Sequence, residues 1–432
     1  MSIKSILAAL LAASAASSAL AAPTFIHAGR LIAVPGKAVR GPSTIVVDNG
    51  RIVSVTNGLS RIEPGASYID LRGRTVLPGL IDSHVHLESD AGGDARLVES
   101  VTLNDAERAF KAMANGRKTL EAGFTTVRNL GGGPAIGALR NAVAAGTVRG
   151  PRILDAASGI STTSGHGDSR VGLVEELHPA VAPDNVCDGA EECRRAVRAQ
   201  VRRGADVIKT MTTGGVNSRI GAGLTAQMFD DEIKAIVDTA RLYGKKVAVH
   251  AHGADGINMA LAAGAHSIEH GTLLDEEGIR LFKRTNAYYV PTLSTVNGYL
   301  ERIAADPNAY PPAVRAKIDW RIGITGQALR KAVPAGVRIA FGTDAGVSKH
   351  GRNADEFELM VKHGMSPAAA IQAATVNAAD LLGLASEIGT IEPGKSADII
   401  AVAGDPLSDV TVLKRVDFVM ARGEVVKAPP AR

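Results

Sequence analysis

The sequence predicts an α/β protein: a (β/α)8 TIM barrel with a small β-sandwich domain formed from both the N- and C-terminal segments. Three observations carry this. Between residues 79 and 387, short apolar stretches alternate with longer helical ones, as repeated βαβ units require. Residues 23–78 and 388–432 read instead as short strands with tight turns, alike in character at the two ends of the chain. Polar residues recur where the central strands end, and barrel proteins build their sites there.

Bulk composition agrees with one large domain and an appendage. The chain has 432 residues, 45% hydrophobic and 21% charged, enough for a sizeable core. Aromatic content of 3% and a net charge of +4 without a basic run argue against nucleic-acid binding.

Taken in order, residues 1–22 carry Lys4, an apolar and alanine-rich run, and Ala19-Leu20-Ala21. That pattern predicts a signal peptide cut near Ala21 or Ala22 and export, to a bacterial periplasm. The run is too short and too alanine-rich for a membrane anchor. "STIVVDNGRIVSV" is a hairpin turning at Asn49-Gly50. Eight barrel strands follow: "TVLPGLIDSHVH", "FTTVRNL", "RILDAAS", "ADVIKTM", "KKVAVHAHG", "HSIEHG", "AYYVPTLS" and "RIAFGTDAG". Among the intervening helices, "TAQMFDDEIKAIVDTARLYG" has Thr225 placed to cap and Gly244 to terminate. "GTIEPGKSADIIAVAGD" and "VDFVMARGEVV" return to the strand character of the N-terminus. Cys187 and Cys193, in "NVCDGAEEC", are either a short local disulfide or two free thiols. They are too few for a zinc site. A doubly wound open sheet would carry a glycine-rich phosphate fingerprint after its first strand; here that strand ends on two histidines.

Those histidines, His84 and His86, form H-x-H. Residues i and i+2 of a strand share a face, so both imidazoles enter the barrel mouth, an arrangement suited to a divalent metal. His250 and His252 repeat the spacing on strand five, His270 ends strand six, and Asp344 ends strand eight. Any one of these alone reads as a core histidine or a capping aspartate. Together, five of the eleven histidines fall at three strand ends with an aspartate at a fourth. Lys209, ending strand four, either packs its stem and pairs its head with a carboxylate, or meets the same metals. An ammonium beside metal cations is repelled, and burial depresses its pKa. A neutral amine takes up carbon dioxide to give an anionic carbamate, whose two oxygens can bridge two metals.

With these residues the chain resembles the amidohydrolase superfamily, "LPGLIDSHVH" and "GTIEPGKSADII" looking like its hallmark segments at the two ends of the barrel. "VIKTMTTGG", "VAVHAHG", "SIEHGT" and "FGTDAG" resemble the imidazolonepropionase-like branch that contains Xaa-Pro dipeptidases, carboxypeptidase-like enzymes and bacterial ochratoxin-A-hydrolysing amidohydrolases. The resemblance implies that His84, His86 and Asp344 hold the more buried metal and His250 and His270 the other, with carboxylated Lys209 bridging them. It favours His250 over His252 as ligand and leaves His252 to the substrate carbonyl. It implies a binuclear, metal-dependent hydrolase in which a metal-bridging hydroxide cleaves the amide bond to a C-terminal amino acid. The substrate would be a dipeptide, an N-acyl amino acid or an ochratoxin A-like molecule. Asp344 would accept the hydroxide proton and pass it to the leaving amine. Zinc is the default metal for this donor set, and manganese and cobalt remain open. Relatives of this kind often form homo-oligomers.

A free α-carboxylate on the substrate needs a cation or donor cluster. His166, in "GISTTSGHGDSR", and Arg219, in "TTGGVNSRIGAG", are the candidates, and Tyr289, with Tyr288 and Tyr299, is a candidate wall for an aromatic-accepting pocket. Two rival readings stand beside this one. The first is an enzyme opening a cyclic amide, as imidazolonepropionases and hydantoinases do; the second is a non-catalytic exported metal-binding protein. Lys209 weighs against the first and Asp344, as general base, against the second.

Overall fold

The computed structural model describes residues 22–181, 184–219 and 223–429. All of the predicted signal peptide but Ala22 lies outside the described residues. No described helix is long and apolar enough to cross a membrane.

Four strands open the chain: β1 (Thr24–Leu31), β2 (Ser43–Asp48), β3 (Arg51–Asn57) and β4 (Ser67–Pro78). β2 and β3 are antiparallel, pairing Asp48 with Arg51 across Asn49-Gly50. Both turn residues have positive φ, 47° and 77°, as the mirror-image hairpin turn demands. The barrel strands follow: β5 (Leu80–Val85), β6 (Phe124–Asn129), β7 (Arg152–Asp155), β8 (Val207–Met211), β9 (Lys246–Ala251), β10 (Ser267–His270), β11 (Tyr288–Val290) and β12 (Arg338–Ile339). The chain closes with β13 (Ile399–Val402), β14 (Val416–Ala421) and β15 (Glu424–Lys427).

The barrel strands are parallel and hydrogen-bonded in two arcs, β5-β6-β7 and β8 to β12. Backbone bonds at the strand ends close the ring. Asp206 N donates to Asp155 O at 2.7 Å and Ile160 N to Lys209 O at 2.8 Å on one side. Ser83 N donates to Phe341 O at 2.9 Å and Asp344 N to His84 O at 2.7 Å on the other. Every residue of β5, β6 and β8 is buried, as strands covered on both faces must be.

The terminal strands form one seven-stranded sheet in the order β15-β14-β13-β4-β1-β2-β3, so both ends of the chain share it. Ile52 of β3 and Phe418 of β14 lie in one apolar cluster although four strands separate them. In a flat sheet they would be roughly 24 Å apart at about 4.8 Å per strand; the sheet therefore rolls around its own core. Ile52 N to Lys395 O and Ala397 N to Gly50 O, both 2.9 Å, hold the roll closed. Gly79 passes the chain from β4 into β5. A Cβ there would sit 2.2 Å from the Thr125 hydroxyl, so only glycine lets the sheet abut the barrel.

The helix expected from Thr225 begins later, at Asp230, and ends at Leu242. Residues before it are held extended, Gln227 N bonding Thr212 O at 2.8 Å, and the cap is made by Glu232, which accepts from Phe229 N at 2.8 Å. Gly244, at φ +63°, ends it as expected. Cys187 and Cys193 are joined in a disulfide.

Candidate metal centre and active site

A cavity of about 570 Å³ opens at the C-terminal ends of the barrel strands, within the usual size range for a small-molecule site. His84, His86, Lys209, His250, His252, His270 and Asp344 all line it. They come from five strands and nearly all are buried. His270 and Asp344, with Thr292 between them, hold positive φ of 72°, 56° and 47°. For non-glycine residues that is unfavourable backbone, and it concentrates where the strands must turn a side chain into the mouth.

The possible ligand atoms form two groups sharing one residue. Those of His84, His270 and Asp344 lie within 4.8 Å of one another, and so do those of His250, His252 and His270. Asp344 Oδ1 is 3.6 Å from His84 Nε2 and 3.4 Å from His86 Nε2.

Hydrogen bonds set which nitrogen of each imidazole is free. His84 Nδ1 meets Glu269 Oε2 at 2.9 Å, and His86 Nδ1 meets the Gly131 carbonyl at 3.2 Å. Both partners are acceptors, so Nδ1 carries the proton and Nε2 faces Asp344 with a lone pair. His270 Nδ1 lies 2.7 Å from Thr292 Oγ1, whose own proton goes to the Pro291 carbonyl, so Nε2 is again free. His250 is reversed: Nε2 meets the Gly214 carbonyl at 3.3 Å and Nδ1 is left to bind. His252 Nδ1 lies 2.8 Å from Thr272 Oγ1.

Burial, then neighbouring imidazoles and cations, lowers the pKa of all five histidines, which keeps them neutral and competent as ligands. Burial pushes the Lys209 ammonium down to about 8 and raises the Asp344 carboxyl. Beneath them, burial alone would raise Glu269, but Arg128 and His84 outweigh it and hold the carboxyl at about 2. Arg128 donates to Glu269 Oε1 at 2.9 Å and to Ser83 O at 2.6 Å. Asp82 accepts from Thr343 N, Thr343 Oγ1, Asn353 Nδ2 and His84 N, fastening the first strand of the barrel to the last.

The expected substrate-binding residues are placed unequally. His166 is in the cavity, stacked on His250 with ring centres 4.2 Å apart, and its Nδ1 is 2.7 Å from Ser218 Oγ. Burial drops its pKa to about 3, so it is neutral. Arg219 lies at the mouth, already ion-paired with Asp94. Tyr289 is a core residue, 1% exposed, with its hydroxyl donating to His270 O at 3.1 Å. Its ring packs under Gly271, which removes it from the cavity wall; Tyr299 lines the wall instead. Tyr288, also buried, bonds Asp380.

Arg128, Glu269 and Asp82 are not among the residues expected from the sequence. A signal existed, because each is a charge inside a barrel strand, as Lys209 is. Arg321 is not among them either, and it lines the cavity from the helix Pro312–Gly323. Nothing in that helix's sequence marks the residue.

A family model described as amidohydrolase family matches residues 75–426. The chain belongs to the amidohydrolase family. This amidohydrolase is 32% identical over 434 residues to an ochratoxinase of Aspergillus niger, with 96% of this chain and 88% of the relative covered. A crystal structure of the A. niger ochratoxinase matches with TM-score 0.81 at 30% identity, covering 95% of this chain and 96% of that one. A Xaa-Pro dipeptidase structure with methionine bound in its active site matches with TM-score 0.89 at 41% identity, covering 94% and 99%. An imidazolonepropionase of Symbiobacterium thermophilum is more distant, at 26% identity over 421 residues and 88% and 90% coverage. The amidohydrolase is thus a hydrolase of C–N bonds in small molecules and a metal-dependent one, with a histidine cluster able to hold a metal ion.

Proposed function

We propose that this amidohydrolase works with two divalent metal ions, zinc by its nitrogen and oxygen donors. Its reaction would be cleavage of the amide bond to a C-terminal amino acid in a dipeptide, N-acyl amino acid or ochratoxin A-like substrate. The observation that carries the reading is the meeting, in one cavity, of Asp344 Oδ1 with His84 and His86 Nε2 at 3.6 and 3.4 Å, beside the His250 and His270 rings 4.5 Å apart. The donor chemistry fits. His84, His86 and Asp344 would hold one ion and His250 and His270 the other, each imidazole having a nitrogen kept unprotonated by the bond its other nitrogen makes.

Neutral histidines and one carboxylate leave two dications undercompensated. Lys209 answers this as a carbamate: its neutral amine forms an N–C bond to carbon dioxide and sheds a proton, turning a cation into an anion with two oxygens. When bound, the ions acidify a water to near neutrality and polarise the amide carbonyl. Asp344 takes the proton of the attacking water and returns it to the leaving nitrogen. His252, steadied by Thr272, faces the carbonyl oxygen as negative charge develops there.

The test is a substrate panel on metal-reconstituted protein, with N-acyl amino acids and dipeptides set against cyclic amides. Hydrolysis of the open-chain acids supports the reading. Turnover confined to cyclic amides replaces it with a ring-opening enzyme, and no hydrolysis at all leaves a metal-binding protein.

A further inference from the structure

Among the described residues only two arginines are buried, Arg128 and Arg321. Arg128 is fully matched, with the Glu269 carboxylate, the Ser267 hydroxyl and the Ser83 carbonyl around its guanidinium. Arg321 is 3% exposed, and the structure gives its guanidinium one hydrogen bond, to Thr325 Oγ1 at 3.2 Å. No carboxylate of the described residues reaches ion-pair distance. A guanidinium has five N–H donors and always carries its charge. Burying it without a counter-ion is costly, and such a group is retained only where something pairs with it.

The acids in its field are committed elsewhere. Glu356 accepts from Leu293 N and Ser294 N at 2.9 and 2.6 Å, and Asp344 belongs to the histidine group. What Arg321 does face is the cavity, whose lining it shares with His252 and Tyr299. The two cations expected from sequence to meet a carboxylate are weaker candidates. His166 is held by Ser218 and stacked on His250, and Arg219 is paired with Asp94 at the mouth.

We propose that Arg321 is the specificity-determining anchor for the free α-carboxylate of the substrate's C-terminal amino acid. The fork of its guanidinium fits that group bidentately, and His252, in the lining of the same cavity, would meet the scissile carbonyl. This rests on the hydrolytic reading above. It goes further by naming the group that makes the enzyme select a free C-terminus.

The experiment uses the metal-loaded protein and a panel of N-acetyl-L-amino acids, each paired with its C-terminal carboxamide. Wild type is expected to prefer the acid. In Arg321→Met, kcat/KM for the best acid should fall about 100-fold, mostly through KM, while the carboxamide changes less than about 5-fold. Arg321→Lys, which keeps the charge and loses the fork, should fall between. The thermal midpoint of Arg321→Met should equal or exceed that of wild type, because an under-compensated buried charge has been removed. Equal losses on acid and carboxamide, or a lowered midpoint with acid preference intact, would overturn the proposal and make Arg321 structural. A wild type that hydrolyses acid and carboxamide equally overturns it while leaving the hydrolytic reading in place. Absence of any hydrolysis by wild type sinks that reading and this inference with it.

Discussion

His84 presents a lone pair on Nε2 because Glu269, kept anionic by Arg128, accepts a hydrogen bond from the protonated Nδ1. Glu269→Gln removes that bias. Metal affinity should drop about 10- to 100-fold, read by titration of the apo protein with zinc and a competing chelator; an unchanged affinity would show that the tautomer is set elsewhere. Lys209 makes a sharper case. Lys209→Ala should lose bound metal and hydrolysis together, and a short carboxylic acid should restore part of both by supplying the missing oxygens. A variant that keeps two metals per chain without the lysine would end the carbamate reading. Asp344→Asn should lower kcat by about 100-fold or more with the fold intact by circular dichroism, because the proton transfer proposed for this carboxylate would be lost.

At the scale of elements, the mouth is held by helix ends as much as by strands. The helix Asp355–Lys362 sends Glu356 under the turn after β11, where it accepts from Leu293 N and Ser294 N. Burial raises that carboxyl from 4.5 to about 7 despite those bonds. The folded state therefore keeps a proton that the unfolded chain has lost, and the stability this group contributes declines as pH rises from about 4.5 to about 7. Glu356→Gln removes the titration. Its thermal midpoint should gain on wild type between pH 5 and pH 8; a constant difference across that range would refute the assignment.

The eight strands were legible because their signal is local: apolar runs of a few residues, punctuated by glycine and separated by helical periodicity. The start of the helix at Asp230 was not, because the backbone bond that keeps Gln227 extended comes from Thr212, fifteen residues away in sequence.

For the whole molecule, metals bound at these strand ends would tie β5 of one arc to β8, β9 and β10 of the other. A chelator should lower the thermal midpoint, by the equivalent of about 4 kcal/mol if free metal stood near 1,000 times its dissociation constant. A midpoint indifferent to chelation would mean that the ring closes on its backbone bonds alone. The rolled terminal sheet adds a second tie, since the two chain ends complete one core and Gly79 brings it hard against the barrel.

The sequence by itself determined the class of fold and the chemical character of the mouth. Strand period, turn residues and the H-x-H spacing act over a few residues, so they are written where they act. Only the tertiary structure decided which charges are matched and which are not. Tyr289 goes to the core beneath Gly271, Arg219 goes to Asp94, and Arg128 goes to Glu269. Arg321 is left facing the cavity with a single hydrogen bond. Pairing is a property of distance through space, and closing the barrel is what brings residues 141 positions apart, such as Arg128 and Glu269, within 2.9 Å.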